Sequence, residues 1–460
     1  MTSPYRLEAV QLQGVGVFDN TLIRFKPIES VEQDEKLAEI HLFTGPNGCG
    51  KSTLLYALAE IFEGLWSPKG LIQNRLRNSE SLVVFTFRHQ PGGYGIKTFN
   101  SNKYSLEFGM FAWLIDAPNQ GRVFGYSSSE NKNNTLKKYK EAPQQFLRNA
   151  QHNQMRFNFG AFAYSGQRNL QSEPIAGIKE ITDSPFENAL SFDNTVRPKI
   201  FLQWIANNRA QSALAKADND SKAADTYDLA LNRITSLIRD VCDMDLEFRL
   251  DRSPLAVTVK VNGDIIQFDG LPDGLKSIIS WVADLSLRLE AIPWEVEQDI
   301  FSQPIILFLD EVDIHLHPKW QRRILPAIQK LLPNAQIFVT THSPFVVGSV
   351  DNAWIYRLPE PGTKTEGVME IEGIPSDTGK SYRLILNEIF DISKEFGDET
   401  EALFDEFYQA RAIFLKTPTN ADSVIKIANQ LAARGEETAA IVTRELRQMS
   451  RVTGVEVSLA

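Results

Sequence analysis

The sequence contains little cysteine, no long apolar run and no excess of basic residues, and each absence excludes a class of protein. Its two cysteines, Cys49 and Cys242, allow no disulfide framework and have no metal-ligand spacing, which is typical of a reducing compartment. No apolar stretch approaches the ~20 residues that a membrane-spanning helix needs. The first residues, MTSPYRLEAVQL, are too polar for a signal peptide. We therefore expect a soluble, cytoplasmic protein that does not act in a membrane.

What the chain does contain is core material for several folding units. It has 460 residues, 43% hydrophobic and 23% charged, with a net charge of −10. Two or three compact units are expected at this length. Because nucleic-acid-coating proteins are usually basic, any nucleic-acid contact should be a local patch. The polar segment at about 127–155 is one candidate, since it carries four lysines between Lys132 and Lys140; a solvated insertion is its alternative.

The hydrophobic periodicity predicts an α/β protein. Short alternating runs indicate strands over about the first 45 residues, and mostly helical patterns cover about 185–241. The apolar runs PIILFLDE and IFVTTHS predict buried strands, and the helix-like KWQRRILPAIQKLL between them favours a parallel crossover. The pattern near the end is helical. We therefore expect a first domain at 1–375 and a helical domain at 376–460.

A phosphate-binding loop is predicted at 45–53, where GPNGCGKST matches G-x-x-x-x-G-K-[ST], the Walker A motif. An apolar run precedes it and a helix-like run follows, which is the context the motif requires. Its glycines let backbone N–H groups turn inward to hold phosphates at a helix N-terminus. Lys51 is expected to reach the β and γ phosphates of ATP, and the Ser52 hydroxyl to bind Mg²⁺. The expected nucleotide contacts are Gly45, Asn47, Gly48, Gly50, Lys51, Ser52 and Thr53.

A pair of carboxylates ends the predicted strand at 305–311, IILFLDE, as in a Walker B motif. A buried strand delivers Asp310 and Glu311 to the C-terminal edge of the sheet, where ligand sites of α/β proteins lie. Asp310 is expected to hold Mg²⁺ through water, and Glu311 to orient and deprotonate the attacking water. Because side chains alternate along a strand, the two acids should point in different directions. A surface acid pair is the alternative, and the phosphate loop upstream disfavours it.

Three of the six histidines lie between His315 and His342. His342 follows the strand-like IFVTT, so it is a candidate contact for the γ-phosphate; its alternative is a structural role. His315 and His317 have the i, i+2 spacing that could bind metal. No cysteine or further histidine accompanies them, so a role at the start of a helix beside Pro318 is favoured over a zinc site.

With Lys51, Asp310, Glu311 and His342 in this order, the chain resembles the ABC-type ATPase heads of the SMC, Rad50 and RecF group. The segments DEVDIHLHPKWQ and TTHSP are similar to those of a bacterial subgroup that includes ATPase subunits of the Septu and retron anti-phage systems. The resemblance covers roughly residues 5–355. It implies a P-loop ABC-ATPase head with a mixed sheet, an inserted β/α segment and a helical C-terminal domain.

The resemblance also implies how ATP is held. In such proteins two heads enclose two nucleotides, so a homodimer is expected here, within a higher homo-oligomer. Asp313 falls in the D-loop, the segment that follows Walker B in such heads. Gln167, in FAYSGQR, is the candidate for the glutamine that such heads place on Mg²⁺, and Arg168 is a candidate charge partner for phosphate. An ordinary strand end is the alternative for both.

LPDGLKS, at 271–277, corresponds to the signature loop that contacts the partner's ATP. Gly274 stands where the backbone should approach phosphate closely. Pro272 replaces the serine of the family pattern and offers neither a hydroxyl nor an N–H. Asp273 brings a negative charge near a polyphosphate, and Lys276 is placed to offset it. We therefore expect a head that engages in trans but hydrolyses ATP slowly.

The function implied is an ATPase subunit of an anti-phage complex that regulates or scaffolds a separate effector, such as an HNH nuclease. No nuclease site is expected in this chain, because the acids near its end lie on helical runs. The alternative is a DNA-repair ATPase of the RecF or SMC type that binds DNA directly. A P-loop kinase acting alone is a third possibility, but it gives LPDGLKS and His342 no role.

Overall fold

The structure is a computed structural model. It describes residues 5–28, 37–60, 62, 71–75, 77, 81–88, 111–117, 121–127, 157, 159–166, 175, 177–363, 367–376, 379–418 and 420–459. These residues form two compact units, Met1–Ile385 and Leu386–Ala460. The lysine-bearing segment at about 127–155 lies outside the described residues, apart from its first residue.

The strands of the first unit belong to three sheets. In chain order they are β1 (Arg6–Val15), β2 (Phe18–Arg24), β3 (Glu39–Thr44), β4 (Leu82–Arg88), β5 (Phe111–Ala117), β6 (Gly121–Ser127), β7 (Gly160–Tyr164), β8 (Leu246–Arg252), β9 (Leu255–Val261), β10 (Asp264–Gln267), β11 (Ile305–Leu309), β12 (Ala335–Thr340), β13 (Ala353–Arg357), β14 (Met369–Ile371) and β15 (Ile374–Pro375).

The helices surround these sheets in the first unit and make up the second. They are α1 (Lys51–Glu60), α2 (Pro198–Ala217), α3 (Ser221–Cys242), α4 (Asp273–Ala291), α5 (Pro318–Leu331), α6 (Pro344–Val347), α7 (Tyr382–Phe390), α8 (Asp398–Lys416), α9 (Asp422–Ala432) and α10 (Glu436–Thr453).

The central sheet has the order β15-β13-β3-β12-β11-β7. Its neighbouring strands run parallel from β13 to β7, and only β15 is antiparallel. Every residue of β3, β7, β11 and β12 is buried, as expected for strands that are covered on both faces. The parallel crossover predicted between the two apolar runs is present as β11-α5-β12. All four strands therefore end at one edge of the sheet.

Two other sheets complete the first unit. One has the order β14-β2-β1-β4-β6-β5 and is mostly antiparallel, and β8, β9 and β10 form an antiparallel meander that leads into α4. Parallel and antiparallel pairs thus coexist, and the α/β class with a mixed sheet is confirmed.

The helical stretch predicted from residue 185 begins later than expected. Asn188 and Phe192 have positive φ values of 51° and 54°, which an α-helix cannot contain. The helix starts only at Pro198, whose ring suits the first helical position. The end of the stretch, at Cys242, lies close to the prediction.

The second unit consists of α8, α9, α10 and the last turn of α7. Its core is formed by side chains that are almost fully buried: Phe404, Phe407, Phe414, Val424, Ala428, Leu431, Val442, Leu446, Met449 and Val457. These residues recur at helical spacing on each helix, which explains why the sequence is amphipathic here. The two units divide between Ile385 and Leu386. The sequence prediction places the division earlier, between residues 375 and 376.

Candidate functional site

The predicted phosphate loop joins β3 to α1, and its glycines are required by the backbone. Gly50 has a φ of +95°, and a Cβ there would lie 2.6 Å from Val17 Cγ2. Gly45 has a φ of +149°, and a Cβ there would lie 2.8 Å from the Leu358 carbonyl oxygen. A side chain at either position would be strained and would also collide with its neighbours. The loop can therefore curl only because these positions are glycine.

Lys51 begins α1 and is nearly buried. Its Nζ donates to the carbonyl oxygens of Gly45, at 2.9 Å, and Pro46, at 3.0 Å. Among the described residues, no carboxylate lies within ion-pair distance of this ammonium group. A buried charge that bonds only neutral acceptors is poorly compensated. This cradle therefore fits an anion such as a phosphate.

Three hydroxyl and carboxylate side chains meet at the ends of neighbouring elements. The Ser52 hydroxyl, in the first turn of α1, donates to Asp310 Oδ1 at 3.2 Å. The Thr340 hydroxyl, at the end of β12, donates to the same oxygen at 2.5 Å. Burial raises the pKa of Asp310, while the bonds from Thr340 and Ser52 oppose that effect. Hard oxygen donors of this kind suit Mg²⁺, so Ser52 and Asp310 fit the ion that the sequence predicts.

Glu311 follows Asp310 with a backbone unlike that of a strand. Its φ is +51°, and its N–H donates to Thr340 Oγ1 at 2.8 Å. Glu311 therefore has a left-handed backbone, and β11 ends at Leu309, so the strand alternation expected from the sequence does not extend to the two acids. Burial, followed by the charges of Asp310 and Asp313, raises the pKa of Glu311. A raised pKa favours proton uptake, as a general base requires.

His342 follows the central strand β12 by two residues and is exposed. Burial and the charge of Lys51 lower its pKa, although Asp313 and Asp310 act in the opposite direction. The lowered pKa favours the neutral imidazole, which has one N–H to donate and one nitrogen to accept. Ser343 then begins α6, since its hydroxyl accepts from the N–H groups of Phe345 and Val346.

The predicted signature loop leads into α4. Pro272 is the residue before its first turn and makes no side-chain cap bond. Lys276 lies 3.1 Å from Asp273, as the sequence suggested for these opposite charges. Gly274 has a different neighbour from the predicted phosphate: a Cβ there would lie 2.5 Å from the His315 carbonyl oxygen of the same chain.

The remaining predicted residues differ in what the structure says of them. Asn47 is exposed at the tip of the phosphate loop. Asp313 is half-buried, and its Oδ1 accepts no hydrogen bond from the described residues. His317 accepts from the Lys319 N–H and so starts α5, the role favoured from sequence. Gln167 and Arg168 lie outside the described residues.

Three residues near the site carried no motif in the sequence. The Arg75 guanidinium donates to Thr53 Oγ1 at 2.7 Å and lies 4.2 Å above the Tyr56 ring. Burial, then the charges of Asp310 and Asp193, raises the pKa of Tyr56 to about 12. Asp193 also contributes to the raised pKa of Glu311. Of the three, only Tyr56 could have been found from the sequence, because it lies one helical turn beyond Thr53 and so shares a helix face with that residue.

Comparison with known families and curated proteins places these motifs in context. Residues 40–348, more than half of the chain, match the family model described as "AAA domain, putative AbiEii toxin, Type IV TA system". The chain is 23% identical over 403 residues to "Retron Vc95 probable ATPase" of Vibrio cholerae serotype O1 biovar El Tor, covering 76% of this chain and 74% of that protein.

Two further relatives are similar over different extents. "Retron Ec83 probable ATPase" of Escherichia coli is 23% identical over 414 residues, covering 79% of this chain and 76% of that protein. "Septu protein PtuA" of Bacillus thuringiensis is 28% identical over 172 residues, covering 32% of this chain and 42% of that protein.

Solved structures give weaker similarities. The SMC head domain from Thermotoga maritima covers 81% of this chain and 99% of its own, with a TM-score of 0.37 and 15% identity. An SMC head bound to the C-terminal winged-helix domain of ScpA covers 80% of this chain and 98% of its own, with a TM-score of 0.41 and 12% identity. Both scores are low, so they establish neither a shared fold nor a shared activity.

Two absences hold for the described part of the chain. No helix there is long and apolar enough to cross a membrane. No group of three or more histidine, cysteine, aspartate and glutamate side chains there is arranged to hold a metal ion. The oxygen pair of Ser52 and Asp310 is a different kind of site, because ATP phosphates and water complete the coordination of Mg²⁺ in nucleotide enzymes.

Proposed function

Because this chain belongs to the family described as "AAA domain, putative AbiEii toxin, Type IV TA system", we propose that it is an ATPase whose ATP cycle controls a separate effector protein in anti-phage defence. The observation that carries the proposal is the meeting of Ser52, Asp310 and Thr340 at the ends of α1, β11 and β12. Ser52 and Asp310 are 258 positions apart in the sequence. Their contact beside the phosphate loop is what binding and hydrolysis of a nucleoside triphosphate require.

The side chains divide the chemistry among them. The loop N–H groups and Lys51 bind the β and γ phosphates, replacing the carbonyl contacts that Lys51 makes to Gly45 and Pro46. Glu311 accepts a proton from the attacking water, which its raised pKa favours. Neutral His342 donates its N–H to the γ-phosphate. Ser52 and Asp310 would hold Mg²⁺, which would supply positive charge to stabilise the transferring phosphoryl group.

The place in defence is supported by the names of the relatives. Two similar proteins that match over most of their length are named as probable ATPases of retrons, and a third, shorter match is named as a Septu protein. An effector acting as an HNH nuclease is part of the proposal. An HNH reading frame next to this gene would support it, and cleavage of DNA by the purified chain alone would contradict it.

Dimerisation around ATP is the second part of the proposal. Each Walker site would meet the loop at 271–277 of the partner, with the helices after Leu386 available for further oligomer or effector contacts. The loop supplies Lys276 and backbone groups, but no serine hydroxyl. Asp273, with its side chain 76% exposed, leaves a negative charge on that surface. This combination favours slow hydrolysis and a long-lived engaged state.

Direct DNA binding, the alternative function, is not proposed. Its main support was the lysine cluster between Lys132 and Lys140, which lies outside the described residues. The net charge of −10 disfavours binding through the whole surface.

Substitution of Glu311 tests the ATPase and the dimer together. Glu311→Gln keeps the shape of the side chain but cannot take up the proton, so ATP should bind without turning over. We expect this variant to form a dimer with MgATP in sedimentation velocity, and to be monomeric or less associated without it. Wild-type turnover should lie well below the ~10 s⁻¹ median of enzymes.

Lys51→Ala is the matched control, because it removes the phosphate contact and leaves the Glu311 region intact. It should bind no ATP and show no ATP-dependent association. A Glu311→Gln chain that stays monomeric at saturating ATP would contradict the sandwich. Binding of ATP by Lys51→Ala with unchanged affinity would contradict the site itself.

A further inference from the structure

The side chain of Gln321, in the first turn of α5, joins two loops that leave different strands. Its Nε2 donates to the carbonyl oxygens of Asp313, at 3.2 Å, and Leu316, at 3.0 Å. Its Oε1 accepts from the Ser343 hydroxyl at 2.8 Å. One amide thus bonds the segment that follows β11 and the turn that follows β12.

The orientation of this amide is determined by its partners. Two carbonyl oxygens can bond only to its NH₂ group, so the carbonyl oxygen must face the Ser343 hydroxyl. Ser343 directly follows His342, and its hydroxyl also caps α6. A displacement of the His342 turn is therefore transmitted to Gln321 unless the hydrogen bond breaks.

The segment held by Gln321 is bounded by residues in an unusual conformation. Glu311 and His315 both have positive φ, 51° and 63°. Such residues persist only where surrounding contacts hold them. Between them, Asp313 has a buried Oδ1 with no hydrogen-bond partner among the described residues. Backbone hydrogen bonds from Val312 to Thr340, from Ile314 to Glu311 and from Leu316 to Asp313 hold this segment. The Gln321 amide adds two bonds to its carbonyl oxygens.

The same segment touches the predicted signature loop. A Cβ at Gly274 would lie 2.5 Å from the His315 carbonyl oxygen and 3.2 Å from Trp320 Cζ3. Trp320 is the residue before Gln321. The start of α4 is therefore packed against both the held segment and the turn of α5 that holds it, and a shift of one requires a shift of the other.

We propose that Gln321 is a positioning residue that couples the His342 turn, through the Asp313–Leu316 segment, to the signature loop of the same protomer. This rests on the proposed function, because the signature loop acts on the ATP of the partner. ATP sensed by His342 in one site then sets the geometry that the same chain presents to the other site. Hydrolysis at the two sites is thereby linked within each chain.

Replacement of Gln321 in the full-length chain tests the coupling. Gln321→Met keeps the length of the side chain and removes all three hydrogen bonds. We expect ATP affinity to change by less than about twofold, because Lys51 and the phosphate loop are untouched. The kcat should fall by about tenfold, and ATP-dependent dimerisation in a Glu311→Gln background should weaken by a similar factor, as the loss of a few partly buried hydrogen bonds implies.

Gln321→Glu separates the two sides of the connection. The carboxylate can still accept from Ser343 but repels the carbonyl oxygens of Asp313 and Leu316. We expect it to be as defective as Gln321→Met, although its volume matches the wild type. Wild-type kcat in Gln321→Glu would overturn the proposal, because the segment after β11 would then not need the amide.

Gln329→Met is the matched control on the same helix. Gln329 is buried and donates to the Ala38 carbonyl oxygen at 3.0 Å, away from both loops. The Gln329→Met variant should have a lower melting temperature and an unchanged kcat per folded chain. An equal loss of kcat in this control would mean general loosening and would overturn the proposal. If the wild-type chain neither hydrolysed ATP nor dimerised in its presence, the proposed function would be contradicted, and the inference would fall together with that function.

Discussion

At the scale of single residues, the site depends on conformations and close contacts that few side chains tolerate. Glu311 adopts a left-handed backbone that its N–H bond to Thr340 helps to hold. Residues in this region cost about 1–3 kcal/mol each. Gly274 is different: its φ is not positive, so the backbone alone would accept alanine. Alanine is excluded by packing: its methyl group would lie 2.5 Å from the His315 carbonyl oxygen.

Gly274→Ala tests whether this contact matters for function. In the first turn of an exposed helix, alanine would stabilise the protein relative to glycine. Here the methyl group must displace the backbone of His315, so we expect a loss of about 1–3 kcal/mol in stability, as for an overpacked core. ATP-dependent dimerisation should weaken as the signature loop shifts. The measurements are urea unfolding of the first unit and sedimentation with MgATP.

Gly177→Ala provides the comparison, since the described residues other than its chain neighbours place no atom within 4 Å of its added Cβ. This change should leave both quantities close to wild type. If Gly274→Ala were as stable as Gly177→Ala and dimerised normally, the contact with His315 would be dispensable.

At the scale of elements, a buried polar network joins the strands β1, β3 and β12. Arg6 donates its Nε to Glu39 Oε2 at 3.1 Å, and His41 Nε2 lies 2.6 Å from Glu39 Oε1. Gln336 bonds both the N–H and the carbonyl of Leu7, at 2.7 and 2.8 Å. Groups buried in this way are costly if any partner is lost. The network therefore connects two of the sheets by hydrogen bonds between buried side chains and the backbone of β1.

The network predicts a loss of stability in acid. Burial lowers the pKa of His41 below its usual 6.5, although Glu39 acts in the opposite direction. The unfolded chain then binds a proton that the folded chain does not, so stability falls as the pH drops below about 6.5. Burial opposes ionisation of Glu39, but His41 and Arg6 outweigh it and lower its pKa to about 2. Its contribution is lost between about pH 4.5 and about pH 2, in the same direction.

His41→Asn separates these effects in urea unfolding of the first unit between pH 7.5 and pH 5.5. It should lower the unfolding free energy at pH 7.5 by about 1–3 kcal/mol, since it loses buried hydrogen bonds. It should also reduce the slope with pH over this range. A wild-type chain whose stability does not change between these values would show that the pKa of His41 is the same in the folded and unfolded chain, and a stability that rises as the pH falls would show that His41 is protonated in the fold.

At the scale of the whole molecule, the chain divides its tasks between two compact units. The first, Met1–Ile385, contains all the described nucleotide-site residues, and the second, Leu386–Ala460, is helical with a separate core. A short domain buries a smaller share of its surface than a large one and is only marginally stable. Here the aromatic side chains Phe404, Phe407 and Phe414 supply much of the buried area.

The fragment Leu386–Ala460 should therefore fold alone, with helical circular dichroism and a cooperative melt. Phe407 is fully buried, so Phe407→Ala should cost about 3–5 kcal/mol and leave the fragment unfolded or nearly so. In the full chain the same change should leave ATP affinity unaltered. A fragment without helical signal would show that this unit requires the rest of the chain.

Prediction from sequence reaches patterns formed by adjacent residues and misses contacts between distant segments. The phosphate loop and the crossover between β11 and β12 follow from local pattern. Arg75 and Asp193 gave no signal, because each comes near the site only through the path of the folded chain. The helix predicted from residue 185 failed because Asn188 and Phe192 adopt left-handed turns that no periodicity reveals.

The sequence by itself determined that the chain has a phosphate loop, an acidic strand end and a histidine turn, because each is a short motif whose chemistry lies in adjacent residues. Only the tertiary structure decided how these parts are connected. The parallel register of β3, β12, β11 and β7 brings Ser52, Asp310 and Thr340 together. Gln321 and Gly274 acquired their roles in the same way, since hydrogen bonds and close packing act between atoms that are near in space, whatever their separation along the chain.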